Sequence, residues 1–139
     1  IQDRKSLTDI WKDGGITESK EYAILTNEIY KEWSGMTAKE YKVYKGLRKE
    51  SLRDNMSDVE VALADLGEIA TREIAKKNNP QGLNANIDIA NRGGRIAGTA
   101  REALENELGE SVVTSNNVLS YEYIEGKEVE NKVVGKIKG

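Results

Sequence analysis

The clearest structural signals lie in residues 33–102, which read WSGMTAKEYKVYKGLRKESLRDNMSDVEVALADLGEIATREIAKKNNPQGLNANIDIANRGGRIAGTARE. A Trp-Ser-Gly helix stop and a basic segment open this stretch. Two long segments with helical spacing of apolar residues follow. Asn79 and Pro80 separate them, because proline disfavours helix in the residue before it and cannot continue a helix itself. The pattern predicts two long helices joined by a short connection.

The first long helix begins at a capping box, Ser57-Asp58-Val59-Glu60. In this motif the serine hydroxyl accepts from the glutamate amide, and the glutamate side chain accepts from the serine amide. Lys76 and Lys77 lie near the negative end of the helix dipole, where cations are favoured. The predicted buried face is a stripe of apolar residues: Val59, Ala62, Leu63, Leu66, Ile69, Ala70 and Ile74.

The second long helix runs from about Asn84 to Leu108 and contains three glycines. Its apolar side consists of Ile87, Ala90, Ala97, Ala100, Leu104 and Leu108, and the glycines are Gly93, Gly94 and Gly98. Each glycine inside a helix costs roughly 0.5–1 kcal/mol relative to alanine, so three need a reason. Either Gly94, Ala97 and Gly98 form a small-residue face for a close neighbour, or the helix breaks at residues 92–94. We favour a break or kink.

Three shorter helices are expected before the capping box. Their segments are SLTDIWKDGG (6–15), ITESKEYAILTNEIYKEWSG (16–35) and TAKEYKVYKG (37–46), each ending in a glycine that is typical of a helix stop. Thr17 is the predicted N-cap of the second. The residues expected to face inward are Ile10, Trp11, Tyr22, Leu25, Ile29, Trp33, Tyr41 and Tyr44.

The C-terminal part has a different pattern. Val112 and Val113 look extended, and the tail from Val118 shows alternating Tyr121 and Tyr123. The tail could form a hairpin on the helical body or an arm used by a partner. We therefore divide the chain into a helical domain at 1–117 and a C-terminal extension at 118–139.

The composition restricts the chemistry open to this protein. The 139 residues include no His, no Cys and a single Pro, and the formal net charge is -3. Without His or Cys, Ser-His-Asp and Cys-His catalysis and ordinary zinc sites are excluded. No apolar run approaches the roughly 20 residues needed to span a bilayer, so we expect a cytoplasmic protein without membrane contact. Because Ile1 is not an initiator residue, we expect the chain to be part of a longer protein.

Charge is sorted along the sequence. Six basic and two acidic residues lie between Thr37 and Arg53, whereas five acidic and no basic residues lie between Asp54 and Glu68. Two basic clusters interleaved with tyrosines could contact nucleic-acid phosphates if the fold brings them together. The candidate residues are Lys42, Lys45, Arg48, Lys49, Arg53, Arg92 and Arg95. The alternative is that acidic and basic helices lie side by side and neutralise one another.

Catalytic interpretations find little support in the residues. A Ser-Lys dyad at Lys49 and Ser51 is formally possible, and Asp54 with Asp58 could hold Mg²⁺. A helix beginning after Gly94 could bind a phosphate, although no Walker loop exists there. Acidic residues at a helix start are common because the dipole favours them. We therefore predict a protein that is not an enzyme and that has no catalytic residues, metal or cofactor.

Several segments resemble the C-terminal region of the DNA-damage-inducible protein D family. They are IYKEWSGMTAKEYKVYKGLRKESLRDNM (29–56), ATREIAKKNNPQGL (70–83), NIDIANRGGRIAGTAREALE (86–105) and SVVTSNN (111–117). The likeness covers roughly residues 4–117, in order and with natural spacing. It implies a prokaryotic, phage or mobile-element protein of the DNA-damage (SOS) response. It also implies a separate N-terminal BRO-type domain, as in phage antirepressors, and provides no catalytic residues to transfer.

These observations lead to one prediction of fold and two of function. The fold is expected to be mostly α-helical, a single domain of about five or six helices with a small extended or hairpin tail. The first functional prediction is a non-enzymatic accessory domain of an antirepressor-like protein. This domain would act through protein contacts, with auxiliary phosphate contacts to DNA or a DNA-bound partner. The alternative is a structural oligomerisation module that self-associates through Gly94, Ala97 and Gly98.

Overall fold

The computed structural model describes residues 5–119, and these residues form an all-α domain. The α-helices are α1 (Leu7–Asp13), α2 (Ser19–Ser34), α3 (Ala38–Tyr44), α4 (Asp58–Asn78) and α5 (Leu83–Leu108), with a 3₁₀ turn at Arg53–Asn55. No strand occurs in this part of the chain. The predicted mostly α fold with about five or six helices is confirmed.

The core of the domain lies between the three long helices. The helix α5 packs along both α2 and α4, whereas the short helices α1 and α3 pack against α4 and α2, respectively. Large buried side chains on α2 fill the centre, among them Leu25, Ile29 and Trp33. As predicted, these three residues face inward, together with Trp11 and Tyr41. Tyr44 does not, because it lies on the solvent side of α3 and is 47% exposed.

The glycines of α5 serve close helix packing, and the predicted break at residues 92–94 is wrong. The helix is continuous from Leu83 to Leu108. A Cβ atom added at Gly93 would lie 2.6 Å from the backbone nitrogen of Thr71 on α4. A Cβ atom at Gly94 or Gly98 would lie 2.8 Å from a backbone oxygen of α2. The three glycines therefore allow the backbone of α5 to approach both neighbours.

The buried face of α4 differs from the predicted apolar stripe. Its buried residues are Glu60, Leu63, Ala64, Gly67, Thr71 and Ala75. Of the predicted stripe, only Leu63 is among them, and Val59, Ala62 and Ile69 are exposed. Small residues at the contact allow α4 and α5 to pack closely, which side chains of the size of Ile69 would prevent. Close backbone contact therefore determines the orientation of α4 more than the position of its largest apolar side chains.

Most helix ends follow the predicted signals. The capping box of α4 is present, with Ser57 and Glu60 each accepting the other's amide hydrogen. Gly35 ends α2 in the left-handed conformation at φ 81°, which glycine adopts without strain. The predicted N-cap at Thr17 is wrong: α2 begins at Ser19 with Glu18 as its N-cap. The carboxylate of Glu21 accepts from the amides of both Thr17 and Glu18, which shifts the helix start.

After α5 the chain returns to the body of the domain. Val112 and Val113 are buried in the core, although they form no strand. They therefore anchor this segment by packing and not by sheet pairing. The hairpin predicted around Tyr121 and Tyr123 lies outside the described residues, and the boundary at residue 118 stays a prediction.

Candidate functional site

The predicted phosphate-contacting residues fall into two separate regions. Lys42, Arg48 and Lys49 belong to α3 and the loop that follows it. Among the described residues these three side chains form no ion pair within 4.0 Å. Val43 and Tyr44 lie between them in sequence and are 69% and 47% exposed. We call these five residues the α3 surface; it combines available positive charge with uncovered apolar groups.

Lys45 does not belong to that surface, and the prediction that it contacts phosphate is wrong. Its side chain is fully buried. Its Nζ atom lies 2.9 Å from Glu60 Oε1 and donates to the backbone oxygens of Thr114 and Asn116 at 2.8 and 2.6 Å. An ammonium group has three N–H donors, and these three acceptors match them. Lys45 is therefore a structural residue of the core.

Arg53 is partly engaged within the protein. Its guanidinium pairs with the carboxylate of Asp65 and lies 3.9 Å from that of Glu68. The side chain is 43% exposed, so one side of it still faces solvent. The neighbouring carboxylates neutralise its charge locally, which makes it less available to an external anion.

Arg92 and Arg95 lie on the outer side of the α4–α5 pair. Together with Ile74, Ile96 and Thr99 they line an open depression of about 440 Å³. Arg92 lies 3.6 Å from Asp88, one helical turn away. Arg95 forms no ion pair among the described residues.

These two arginines are distant from the α3 surface. Lys45 contacts α4 at Glu60, whereas Gly93 contacts α4 at Thr71. Those two positions are eleven residues apart, or about 16 Å along the helix axis. The fold therefore does not bring the two basic clusters into one compact site.

A buried polar cluster joins α3, α4 and the segment after α5. We call Tyr41, Lys45, Glu60 and Thr114 the buried cluster. The carboxylate of Glu60 accepts from the Tyr41 hydroxyl, the Lys45 ammonium, the Ser57 amide and the Thr114 amide. A carboxylate has about four lone-pair positions, so four donors saturate it. A buried charge costs little only when it is paired and hydrogen-bonded in this way.

The ionisation of the buried cluster follows from these contacts. Burial acts to raise the pKa of Glu60, but the hydrogen bonds from the Ser57 amide, Tyr41 and Lys45 outweigh it and leave this pKa lowered. Burial, together with the hydrogen bond to Glu60, raises the pKa of the Tyr41 hydroxyl. At neutral pH the cluster thus contains a neutral tyrosine and a charged carboxylate.

Two asparagines extend this connection to the C-terminal segment. The Asn117 side chain donates to the Lys45 carbonyl at 3.0 Å. Asn55, which is buried, accepts from the Val118 amide at 2.8 Å and donates to the Ser51 carbonyl. The α3 surface and the segment at 111–119 are therefore held on the same polar framework.

Sequence reasoning missed the buried cluster, although one signal for it was present. Lys45 follows Tyr41 by four residues, which places it near the inward face of α3. The position of Glu60 in a capping box explained this residue locally and gave no indication of a distant partner. The roles of Asn55 and Thr114 depend on contacts between residues more than fifty positions apart and have no local signal.

Comparison with known proteins identifies the family to which the chain belongs. The profile of the family described as the DinD C-terminal domain matches residues 1–121. The chain belongs to the DinD C-terminal domain family. This confirms the resemblance to DNA-damage-inducible protein D. No curated protein and no solved structure matches the chain.

Membership in this family indicates that the chain is a domain of a DNA-damage-inducible protein. The match extends through Val112, Val113 and Asn117, so it includes the segment tied to the buried cluster. Within residues 5–119, no His, Cys, Asp or Glu residues form a group that could bind a metal ion. In the same part of the chain, no helix combines the length and apolar character needed to cross a membrane.

Proposed function

We propose that this DinD C-terminal domain is a non-enzymatic accessory domain that contacts a partner protein through the α3 surface. Lys42, Arg48 and Lys49 add auxiliary contacts to DNA phosphates. The observation that carries the proposal is the exposure of Val43 and Tyr44, which lie between Lys42 and Arg48 in sequence. Burying such apolar side chains against a partner releases water, and neighbouring cations attract a polyanion.

The position of the α3 surface supports this function. The buried cluster adjoins it in the chain, because Tyr41 lies on α3 and Lys45 is the C-cap of that helix. A surface held by buried, hydrogen-bonded groups loses little conformational entropy on binding. Tyr44 could in addition stack on an unpaired base, since base–aromatic stacking tolerates any sequence.

The phosphate contacts are tested by titrating the domain against labelled single-stranded and duplex DNA at about 50 and 200 mM salt, where phosphate contacts weaken strongly. The triple variant Lys42→Gln/Arg48→Gln/Lys49→Gln should bind more weakly, and its logarithmic salt slope on duplex DNA should fall by about 3. The control is Lys12→Gln/Lys20→Gln/Lys77→Gln, which removes the same charge at other exposed positions. Equal binding by both triple variants would disprove a specific phosphate surface.

The protein contacts are tested separately by affinity capture from extracts of DNA-damaged cells. We expect Val43→Ser/Tyr44→Ser to lose the proteins that the unmodified domain retains. Val59→Ser/Ile69→Ser changes exposed apolar side chains on α4 instead and should retain them. If both double variants capture the same proteins, the partner does not use the α3 surface.

Self-association remains the second candidate, but its original basis is lost. Gly94 and Gly98 are in contact with α2, so this small-residue face is already used within the chain. Exposed apolar side chains on α4 and α5 offer another basis, since Ile69 and Ile96 are each 45% exposed. Sedimentation of the domain over a range of concentrations tests this alternative. Self-association would be excluded if the domain sedimented as a monomer at every concentration and Ile69→Ser/Ile96→Ser did not change its sedimentation.

A further inference from the structure

A partly enclosed cavity of about 200 Å³ lies between α1, α2 and α4, away from the α3 surface. Its walls include the aromatic rings of Trp11, Tyr30 and Trp33. The polar residues Thr26 and Glu68 also line it. The volume corresponds to about six or seven waters, and it is smaller than the roughly 300–1,000 Å³ of sites for drug-sized ligands. The cavity therefore suits a single small ring.

A hydrogen-bond donor in this wall lacks an acceptor. Trp33 is only 2% exposed, and its indole Nε1 atom has no hydrogen-bond partner among the described residues. The ring atom next to it, Cδ1, lies 3.6 Å from the position of a Cβ on Gly67. This edge of the indole therefore lies close to α4 at Gly67, and Ala64 and Glu68 on the same helix line the cavity. A buried N–H without an acceptor is costly, so a ligand that provides one gains affinity.

Glu68 provides the complementary group on the same wall. Its carboxylate lies 3.9 Å from the Arg53 guanidinium, and its side chain is 45% exposed. Burial raises the pKa of Glu68, and Arg53 opposes this only in part. Burial, followed by the charge of Glu68, also raises the pKa of Tyr30. Because the Glu68 carboxylate belongs to a residue that lines the cavity, a neutral ligand is favoured over an anion there.

We infer that this cavity binds a neutral planar heterocycle of the pyrimidine-base type, through an edge with an adjacent carbonyl and N–H group. The carbonyl accepts from the Trp33 indole N–H, and the ring N–H donates to the Glu68 carboxylate. The rings of Trp11 and Tyr30 provide apolar faces for a planar ligand. This inference is independent of the α3 surface.

The test uses uracil as the probe and the two tryptophans of the chain as reporters. Both line the cavity. In a ¹⁵N–¹H correlation spectrum each gives one indole signal, and Trp11→Phe assigns the pair. The Trp33 signal should move downfield and saturate as uracil is added, because its N–H gains an acceptor. For so small a ligand we expect a dissociation constant on the order of 1 mM.

Two matched controls test the recognition of the edge. Dimethyluracil, with both ring nitrogens methylated, keeps the ring and carbonyls but should bind roughly fivefold more weakly. Glu68→Leu should weaken uracil binding about tenfold, whereas Glu73→Leu, an exposed site on the same helix, should not. Retained chemical shifts elsewhere in the spectrum show that each variant is folded.

Several results would overturn the inference. One is a Trp33 signal that uracil does not move. Another is equal binding of uracil and dimethyluracil, or equal binding by Glu68→Leu and the unmodified domain. Propionamide carries the same carbonyl and N–H groups without a ring. If it binds as tightly as uracil, the cavity selects an amide and not a planar base.

Discussion

The Nζ atom of Lys45 lies 2.9 Å from Oε1 of Glu60, and neither side chain is exposed to solvent. This ion pair joins the end of α3 to the first turn of α4. It also holds the segment after α5, because Lys45 donates to the carbonyls of Thr114 and Asn116. A pair of this kind need not stabilise the fold more than apolar groups would, but removing one partner leaves an uncompensated buried charge.

Replacement of Lys45 by methionine should therefore lower the free energy of unfolding by about 3–5 kcal/mol, measured by chemical denaturation. Lys49→Met, at an exposed position of the same loop, should change it by no more than about 0.5 kcal/mol. If Lys45→Met does not fold, the double variant Lys45→Met/Glu60→Gln should recover part of the loss by removing the unpaired charge. Equal stability of Lys45→Met and Lys49→Met would contradict the burial of the pair.

Glu60 should make the stability of the domain depend on acid pH. Its pKa in the folded state is lower than the usual value of 4.5. Its contribution is thus present above about pH 4.5 and is lost as pH falls through the folded pKa. The difference in stability between the unmodified domain and Glu60→Gln should be constant near neutral pH and shrink below about pH 4.5. If this stability difference grew as the pH fell, the pKa of Glu60 in the folded state would have to be raised and not lowered.

Gly93→Ala should destabilise the domain although alanine favours helix formation. The added methyl group would meet the backbone of Thr71, which cannot move without separating α4 from α5. We expect a loss of about 3 kcal/mol, near the upper end of the usual overpacking cost. Thr99→Ala on the exposed side of α5 is the control and should change stability little. Thermal unfolding of both variants measures the difference, and a stabilised Gly93→Ala would argue against the close contact.

Asn55→Ala should release the C-terminal segment locally. The Asn55 side chain accepts from the Val118 amide and donates to Ser51, so alanine leaves both backbone groups without these bonds. The free energy of unfolding should fall by about 2 kcal/mol. Amide hydrogen exchange should accelerate most at Val118, while amides in the middle of α5 keep their protection relative to global stability. Unchanged exchange at Val118 would contradict the contact.

Local sequence signals predicted where helices begin and end. Ser57 with Glu60 and Gly35 both act as caps, because capping depends on neighbours within four residues. The start of α2 was predicted at the wrong residue, and the cause is again a local capping interaction. Glu21 competes for the amides at the helix start, and the sequence does not show which capping residue prevails.

Helix orientation and the candidate surfaces were predicted less well. The apolar stripe of α4 suggested burial of Ile69, which is exposed, because the contact with α5 selects small residues. The basic cluster around residues 42–53 suggested five equivalent phosphate ligands. The fold distinguishes them by burying Lys45 and pairing Arg53 with Asp65 and Glu68.

The sequence by itself determined the all-α class, most helix boundaries and the family, since these depend on composition, spacing and residues close in the chain. Only the tertiary structure decided which face of α4 is buried, why α5 carries three glycines and which lysine belongs to the core. It also created the cavity beside Trp33. These features arise where residues distant in sequence meet, and the energy of each contact depends on a partner that no local pattern specifies.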